Sequence, residues 1–299
     1  MTELVVSAPA SSANLGAGFD AVGLGIEIRM SARVRALPRG STAHWTYAGP
    51  HAPTHDGIRA CVEAGLGRVA PGAPPLEVEL TNAIPLGAGL GSSAAAYAIG
   101  VALGGRFADP SPDDAALALA AWYGGAIVAA LGEDGLTSVR FPAPKVDAVV
   151  VVPELTLPTS QARALLPRAY IRADAVYNIQ RAALLGAALA GGRLDLLRAA
   201  VRDRLHQPYR ANAIPGLKEI LAFDDPALVA LALSGAGPSV LALVRGDAAR
   251  IGEALAAIFA APGLPAVVLT PALATIGVTV LGGEPSERAR GAALAQEKG

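Results

Sequence analysis

Apolar and polar positions alternate over residues 3–8 and 25–36, the second run placing Ile26, Ile28 and Met30 on one face. A period of two predicts strands. The spacing turns helical over residues 56–69, where Ile58, Cys61, Val62, Gly65 and Leu66 share a face. Leu76, Val78 and Leu80 then alternate with Glu77, Glu79 and Thr81, the pattern of a strand with one wet side. Residues 92–103 are Ala-rich and helical, and Ser111-Pro112-Asp113-Asp114 supplies an N-cap, a proline at the first helical position and acids in the first turn. Strands are predicted at 125–131 and 146–152. In the second half, helical spacing covers 175–191, 193–203, 216–221 and 247–259. Alternation there predicts strands at 228–233, 239–244, 266–269 and 276–281. The mixture of hairpins and helices predicts an α+β protein in two lobes, residues 1–145 and 146–283. Residues 284–299 are polar, and a flexible tail is expected there.

Residues 115–132 carry no charge and approach the length of a membrane span. They are mostly Ala and Gly, hold Gly124-Gly125 in their middle and are flanked by Asp113, Asp114 and Glu133. A buried helix running into a buried strand is expected instead, and no membrane partner. The remaining composition narrows the class. Hydrophobic residues make up 53% of the 299 and charged residues 16%, too apolar for a disordered chain. A net charge of −1 argues against a chain built to neutralise nucleic-acid phosphates, so no nucleic-acid partner is expected. The single cysteine, Cys61, allows no internal disulfide and reads as a small core residue. With no basic, apolar leader at the start, a cytoplasmic setting is expected.

The sharpest chemistry lies in Pro85-Leu86-Gly87-Ala88-Gly89-Leu90-Gly91-Ser92-Ser93-Ala94-Ala95, between a predicted strand and a predicted helix. Glycines let backbone approach a ligand, and a helix N-terminus offers unpaired N–H groups and partial positive charge, which suits nucleotide phosphate. The Ser92 and Ser93 hydroxyls suit a phosphate oxygen or a metal ion; the plainer reading is a glycine-rich turn with a serine cap. A Walker loop is excluded, because the lysines are Lys145, Lys218 and Lys298. A dinucleotide fingerprint fits poorly, since Ser92 stands where its third glycine belongs. A second glycine-rich turn, Ser234-Gly235-Ala236-Gly237-Pro238-Ser239, joins two predicted strands and could wall the same site. A third loop carries Asn14 and Asp20, suited to an amine or hydroxyl, or to an Asx-stabilised turn.

Taken in order, Ala8-Pro9-Ala10-Ser11-Ser12-Ala13-Asn14-Leu15-Gly16-Ala17-Gly18-Phe19-Asp20, the loop from Pro85 to Ala95, and the turn from Ser234 to Ser239 resemble the GHMP kinases over nearly the whole chain. The first stretch is similar to that of the homoserine-phosphorylating branch. The resemblance implies an N-terminal lobe like ribosomal protein S5 domain 2 and a ferredoxin-like C-terminal lobe. It implies transfer of the ATP γ-phosphate to the side-chain hydroxyl of L-homoserine, a step of threonine biosynthesis, with ATP and Mg²⁺ as cofactors. The Pro85–Ala95 loop would then cradle ATP, with Ser92 toward Mg²⁺. Asn14 and Asp20 would hold the amine and hydroxyl ends of homoserine. Asn178, Arg181, Arg210 and Gly235 would line the substrate site, a guanidinium suiting a carboxylate or the moving phosphoryl group. His206 reads as a structural hydrogen-bonder rather than a base. The resemblance leaves a homodimer open.

One departure stands out. The family pattern carries a metal-binding Glu and a His-Pro-Asp-Asn run ahead of a Gly-Gly strand, whereas here Ala121 runs directly into Trp122-Tyr123-Gly124-Gly125. A second metal ligand beside Ser92 is therefore not found. Two alternatives to the homoserine reading follow: a GHMP kinase for another small hydroxy acid, and a non-catalytic relative that binds nucleotide or amino acid.

Overall fold

The computed structural model describes residues 3–108, 110 and 118–282. The helix start expected at Ser111 and the tail expected at 284–299 fall outside these. Two sheets organise the rest. In the first, strands β1 (Leu4–Ala13), β2 (Val22–Ala36), β3 (His44–Ala48) and β4 (Leu76–Asn82) run in the order β1-β2-β4-β3, with β3 parallel to β4 and the other pairs antiparallel. The long β2 serves two neighbours: Met30–Ala36 pair with β4, while Val22–Leu24 pair with β5 (Ala126–Gly132), which folds back as a hairpin onto β6 (Gly135–Phe141). The alternation of β4 works as its pattern predicts. Leu76, Val78 and Leu80 are buried, and Glu77 and Glu79 pair on the wet face with Arg35 and Arg33 of β2.

Helices α1 (Gly57–Val69) and α2 (Ser92–Gly104) cover the inner face. They touch backbone to backbone: a Cβ on Gly100 would lie 2.0 Å from the Val62 carbonyl oxygen. The Ala/Gly richness of these helices is thus a requirement of close approach. After α3 (Leu119–Tyr123) the chain enters β5 within two residues, as expected, but only Ala126 and Ile127 of that strand are buried. Leu131 at its far end is 80% exposed, so the hairpin projects from the sheet rather than forming a buried strand. Among the described residues no helix is long and apolar enough to cross a membrane.

The second sheet is antiparallel throughout, with β7 (Asp147–Pro153), β8 (Leu228–Leu233), β9 (Val240–Val244) and β10 (Ala266–Leu269) in the order β10-β7-β9-β8. Both of its faces are apolar. Ala148 and Val150 of β7 face the main core, which also takes in Leu185 and Leu189 of α5 (Arg172–Ala190) and Leu197 of α6 (Leu194–Ala200). Val149 and Val151 face a separate core with α8 (Leu217–Ala222) and α9 (Ala248–Ala260), where Ile251, Leu255 and Phe259 recur every fourth residue. The seam between the lobes is nearly solid, with a residual void of about 10 Å³.

Four elements differ from the pattern-based expectation. The helix expected over 193–203 stops at Ala200, because the Asp203 carboxylate takes the N–H groups of Leu205, His206 and Gln207 and starts α7 (Gln207–Arg210) instead. Strands β3 and β6 carried no recognised signal. Finally, β11 (Thr279–Leu281), shorter than the strand expected at 276–281, is hydrogen-bonded antiparallel to β1. The end of a segment expected to belong to the second lobe, 146–283, thus returns to the first sheet.

Candidate active site

Three loops meet where the sheets' ends face each other. The first leaves β1 and turns sharply, with Asn14, Leu15 and Asp20 all at positive φ. The second, between β4 and α2, has Gly87, Gly89 and Gly91 in the same left-handed region. The third is the tight turn between β8 and β9.

Their carbonyls and short side chains bind one another. The Leu90 carbonyl accepts from Ser11 N–H at 3.0 Å, the Ala88 carbonyl from Ser239 N–H at 3.2 Å, and the Ala13 carbonyl from Gly235 N–H at 3.0 Å. Ser234 Oγ lies 2.8 Å from both Ser12 Oγ and the Gly89 carbonyl. A hydroxyl has one proton, so Ser234 donates to Gly89 and accepts from Ser12. Gly89 has no room for a side chain, since a Cβ there would sit 2.2 Å from the Ser234 carbonyl oxygen.

With the loop's carbonyls turned inward, its amides are left over. Among the described residues, none of the N–H groups from Leu86 to Ala94 donates to a backbone carbonyl, and no side chain caps α2. Ser92 is buried at the first turn of α2 and Ser93 is exposed beside it. A run of free amides leading into a thirteen-residue helix (Ser92–Gly104) is suited to an anion such as phosphate. The residues from Pro85 to Ala95 expected to hold nucleotide are brought together in this way.

The acceptor-side residues divide into two groups. Asn14 is buried and already engaged, its Nδ2 donating to the Gly235 carbonyl at 2.8 Å and its Oδ1 accepting from Asp20 N–H at 3.0 Å. It holds Asp20 in place from behind. Asn178 is buried too, donating to the Ala17 carbonyl and accepting from Arg204 N–H, both at 3.1 Å. Arg210 is 2% exposed; Nη1 reaches His206 Nδ1 at 3.1 Å and the Gly235 carbonyl at 3.0 Å, and Nε reaches the Ala162 carbonyl at 3.4 Å. Burial lowers the affinity of this guanidinium for its proton, and Asp20 opposes that effect.

His206 is fully buried, stacked on Phe19, with Nε2 2.8 Å from the Gly16 carbonyl. Because Arg210 donates to Nδ1, the ring is neutral with its proton on Nε2. Burial pushes its pKa down, as that tautomer requires. It is a structural hydrogen-bonder, as expected. Arg181 lies one turn along α5 from Asn178, with its guanidinium over the Tyr177 ring, Nη1 3.2 Å from the Tyr177 carbonyl and Nε buried without a partner. The open group is Asp20, whose carboxylate meets Arg163 Nη2 at 3.3 Å. Arg163 carried no glycine, turn or periodic signal and was not singled out from sequence. Only the fold brings it across to Asp20.

No three His, Cys, Asp or Glu side chains gather as a metal site among the described residues. Among the described residues, no such cluster therefore stands beside Ser92.

Residues 58–135 match the family model described as GHMP kinases N terminal domain, and residues 181–261 match GHMP kinases C terminal. A homoserine kinase of Solibacter usitatus is 43% identical over 259 residues, covering 78% of this chain and 82% of its own. A homoserine kinase of Deinococcus radiodurans is 40% identical, covering 92% of this chain and 96% of its own. That alignment runs to 302 positions, more than the chain contains, so the relative carries residues that have no counterpart here. The crystal structure of a homoserine kinase from Cytophaga hutchinsonii has the same fold, with a TM-score of 0.78 at 24% identity over 93% of this chain and 97% of that one.

Proposed function

Because the chain belongs to the homoserine kinases of the GHMP kinase family, we propose that it transfers the γ-phosphoryl group of ATP to the side-chain hydroxyl of L-homoserine, a step toward threonine. The observation that supports this reading is the set of free amides from Leu86 to Ala94, on a loop tied through the Ser234–Gly235 turn to the Asn14 that braces Asp20. The amides and the α2 N-terminus hold the phosphates, and the Ser234–Ser239 turn fixes the loop that presents them. Asp20 takes the ammonium end of the amino acid and orients the hydroxyl toward the phosphate. Mg²⁺ would arrive with ATP as part of the nucleotide substrate and would shield phosphate charge, with the Ser92 hydroxyl at the start of α2 as its contact on the protein.

With Asp20 given to the ammonium group, no described side chain is left as the general base. Both His206 nitrogens are engaged, and the Asp203 carboxylate caps α7. The hydroxyl proton therefore passes to a phosphate oxygen, and catalysis is positioning plus charge stabilisation. A cytoplasmic setting, where ATP and free amino acids meet, accords with this chemistry. The test is phosphate transfer from Mg·ATP to L-homoserine, with O-phosphohomoserine followed directly. Product well above background is expected. Saturable binding of homoserine and of an ATP analogue with no product would establish the binding-only alternative, and turnover of another hydroxy acid in preference to homoserine would establish the other.

A further inference from the structure

The second lobe holds a cavity of about 560 Å³ between α6, α7, α8 and β8. Small-molecule sites span roughly 300–1,000 Å³, so the volume is that of a ligand rather than of a packing defect. No residue of the three loops that form the cleft lines it, and neither Arg163, Arg181 nor Arg210 does. Its apolar wall is Val201, Leu221, Phe223, Leu228 and Leu231, with β8 the outer strand of its sheet.

Five charged residues complete the lining: Arg198, Arg202, Lys218, Asp203 and Asp224. Both acids are already engaged. The Asp203 side chain is buried and accepts from the N–H groups of Leu205, His206 and Gln207, and Asp224 is paired with Arg198. Arg202 and Lys218 are exposed, and neither has a hydrogen-bond or ion-pair partner among the described residues. A single surface cation is well solvated and calls for nothing. Two unmatched cations from separate elements, set on one apolar cavity, are a local excess of positive charge in a chain whose net charge is −1. Apolar walls exclude water and strengthen the pull of such charges on an anion.

We propose that this cavity is a second ligand site, separate from the cleft, for a small phosphate monoester that carries an apolar or aromatic group. A phosphate monoester bears about 1.5 to 2 negative charges at neutral pH, which matches the two unpaired cations. Its organic group covers Val201, Leu228 and Leu231. A carboxylate leaves one cation unmatched, inorganic phosphate leaves the apolar wall bare, and a neutral aromatic leaves both cations unmatched. Nothing in this site depends on which hydroxyl the cleft phosphorylates.

Calorimetric titration with phenyl phosphate tests this, carried out with and without a saturating Mg-bound, non-hydrolysable ATP analogue so that the phosphate loop can be filled beforehand. Saturable one-to-one binding is expected, with the same affinity in both conditions. Inorganic phosphate, benzoate and phenol should each bind about fivefold or more weakly, because each lacks one of the two kinds of contact. The double variant Arg202→Gln/Lys218→Gln should weaken phenyl phosphate about tenfold or more, with an unchanged urea midpoint to show that the fold persists. Arg39→Gln, which removes an exposed cation of the first lobe, should leave the affinity as it was. No saturable binding, displacement by the ATP analogue, no loss in the double variant, or an equal loss in Arg39→Gln would each overturn the site. Benzoate or phenol binding as tightly as phenyl phosphate would overturn the phosphate-monoester assignment.

Discussion

The nucleotide side and the acceptor side of the cleft are built by opposite means. On the side proposed for the nucleotide the groups at hand are backbone: carbonyls of residues 88–90 are tied down by Ser239, Ser234 and Ser11, which leaves the loop's amides without backbone partners. On the side proposed for the acceptor the groups at hand are side chains, and the Asp20–Arg163 pair is exposed. A rigid cradle suits a ligand whose phosphates are always alike. The cost of rigidity is intolerance of substitution, so variants on the two sides should fail differently.

The largest effect is expected at the junction of the loops. Gly89→Ala combines a left-handed backbone with a contact of 2.2 Å to a carbonyl, and should cost about 3 kcal/mol of stability along with nucleotide affinity. Chemical denaturation and ATP-analogue titration measure both; a well-folded variant with normal nucleotide affinity would break the picture of a backbone-built cradle. Next is Asp20→Ala, which should lower kcat/KM for homoserine by about 2 kcal/mol or more while leaving the denaturation midpoint nearly unchanged. Unaltered turnover would remove Asp20 from the acceptor site. Ser234→Ala deletes the link between Ser12 and Gly89 and should cost about 1–2 kcal/mol of stability, with ATP affinity falling before homoserine affinity does.

Acid should act on both sides through His206. Its folded pKa is depressed, so the unfolded chain binds more protons, and stability is full above the unfolded value near 6.5 and declines as pH falls through and below it. Urea midpoints taken from about pH 8 down to about pH 5 check this; a flat profile there would mean that the ring is not held neutral. The smallest effect lies away from the cleft. Arg250 holds Asp225 at about 2, so its small contribution is present above the ordinary value of 3.8 and fades between the two as pH falls. Asp225→Asn should flatten the acid limb of the stability curve in that window and leave both sides of the cleft untouched.

How much of this was legible beforehand differs between the two sides for the same reason. The cradle announces itself in sequence because glycine is needed where φ is positive and where no Cβ fits, and such needs cluster within a few residues, as at Gly87, Gly89 and Gly91. Asn14 and Asp20 were visible as polar residues on a glycine-punctuated turn, yet sequence could not tell the amide that braces from the carboxylate that stays open. That distinction required Gly235, more than two hundred residues away, whose carbonyl occupies the Asn14 amide. Arg163 carried no local mark at all.

The strands and helices themselves were set by local periodicity and by caps, and most of their cores follow from which face is apolar. Partnership between distant elements was not. That β11 closes against β1, that a glycine turn after β8 locks a loop before α2, and that α4 (Thr159–Ala164) delivers a guanidinium to Asp20 are outcomes of packing two sheets around one shared core. Local propensity is a property of neighbours along the chain. The cleft is a property of which neighbours the buried surfaces bring together in space, and that only the tertiary structure decides.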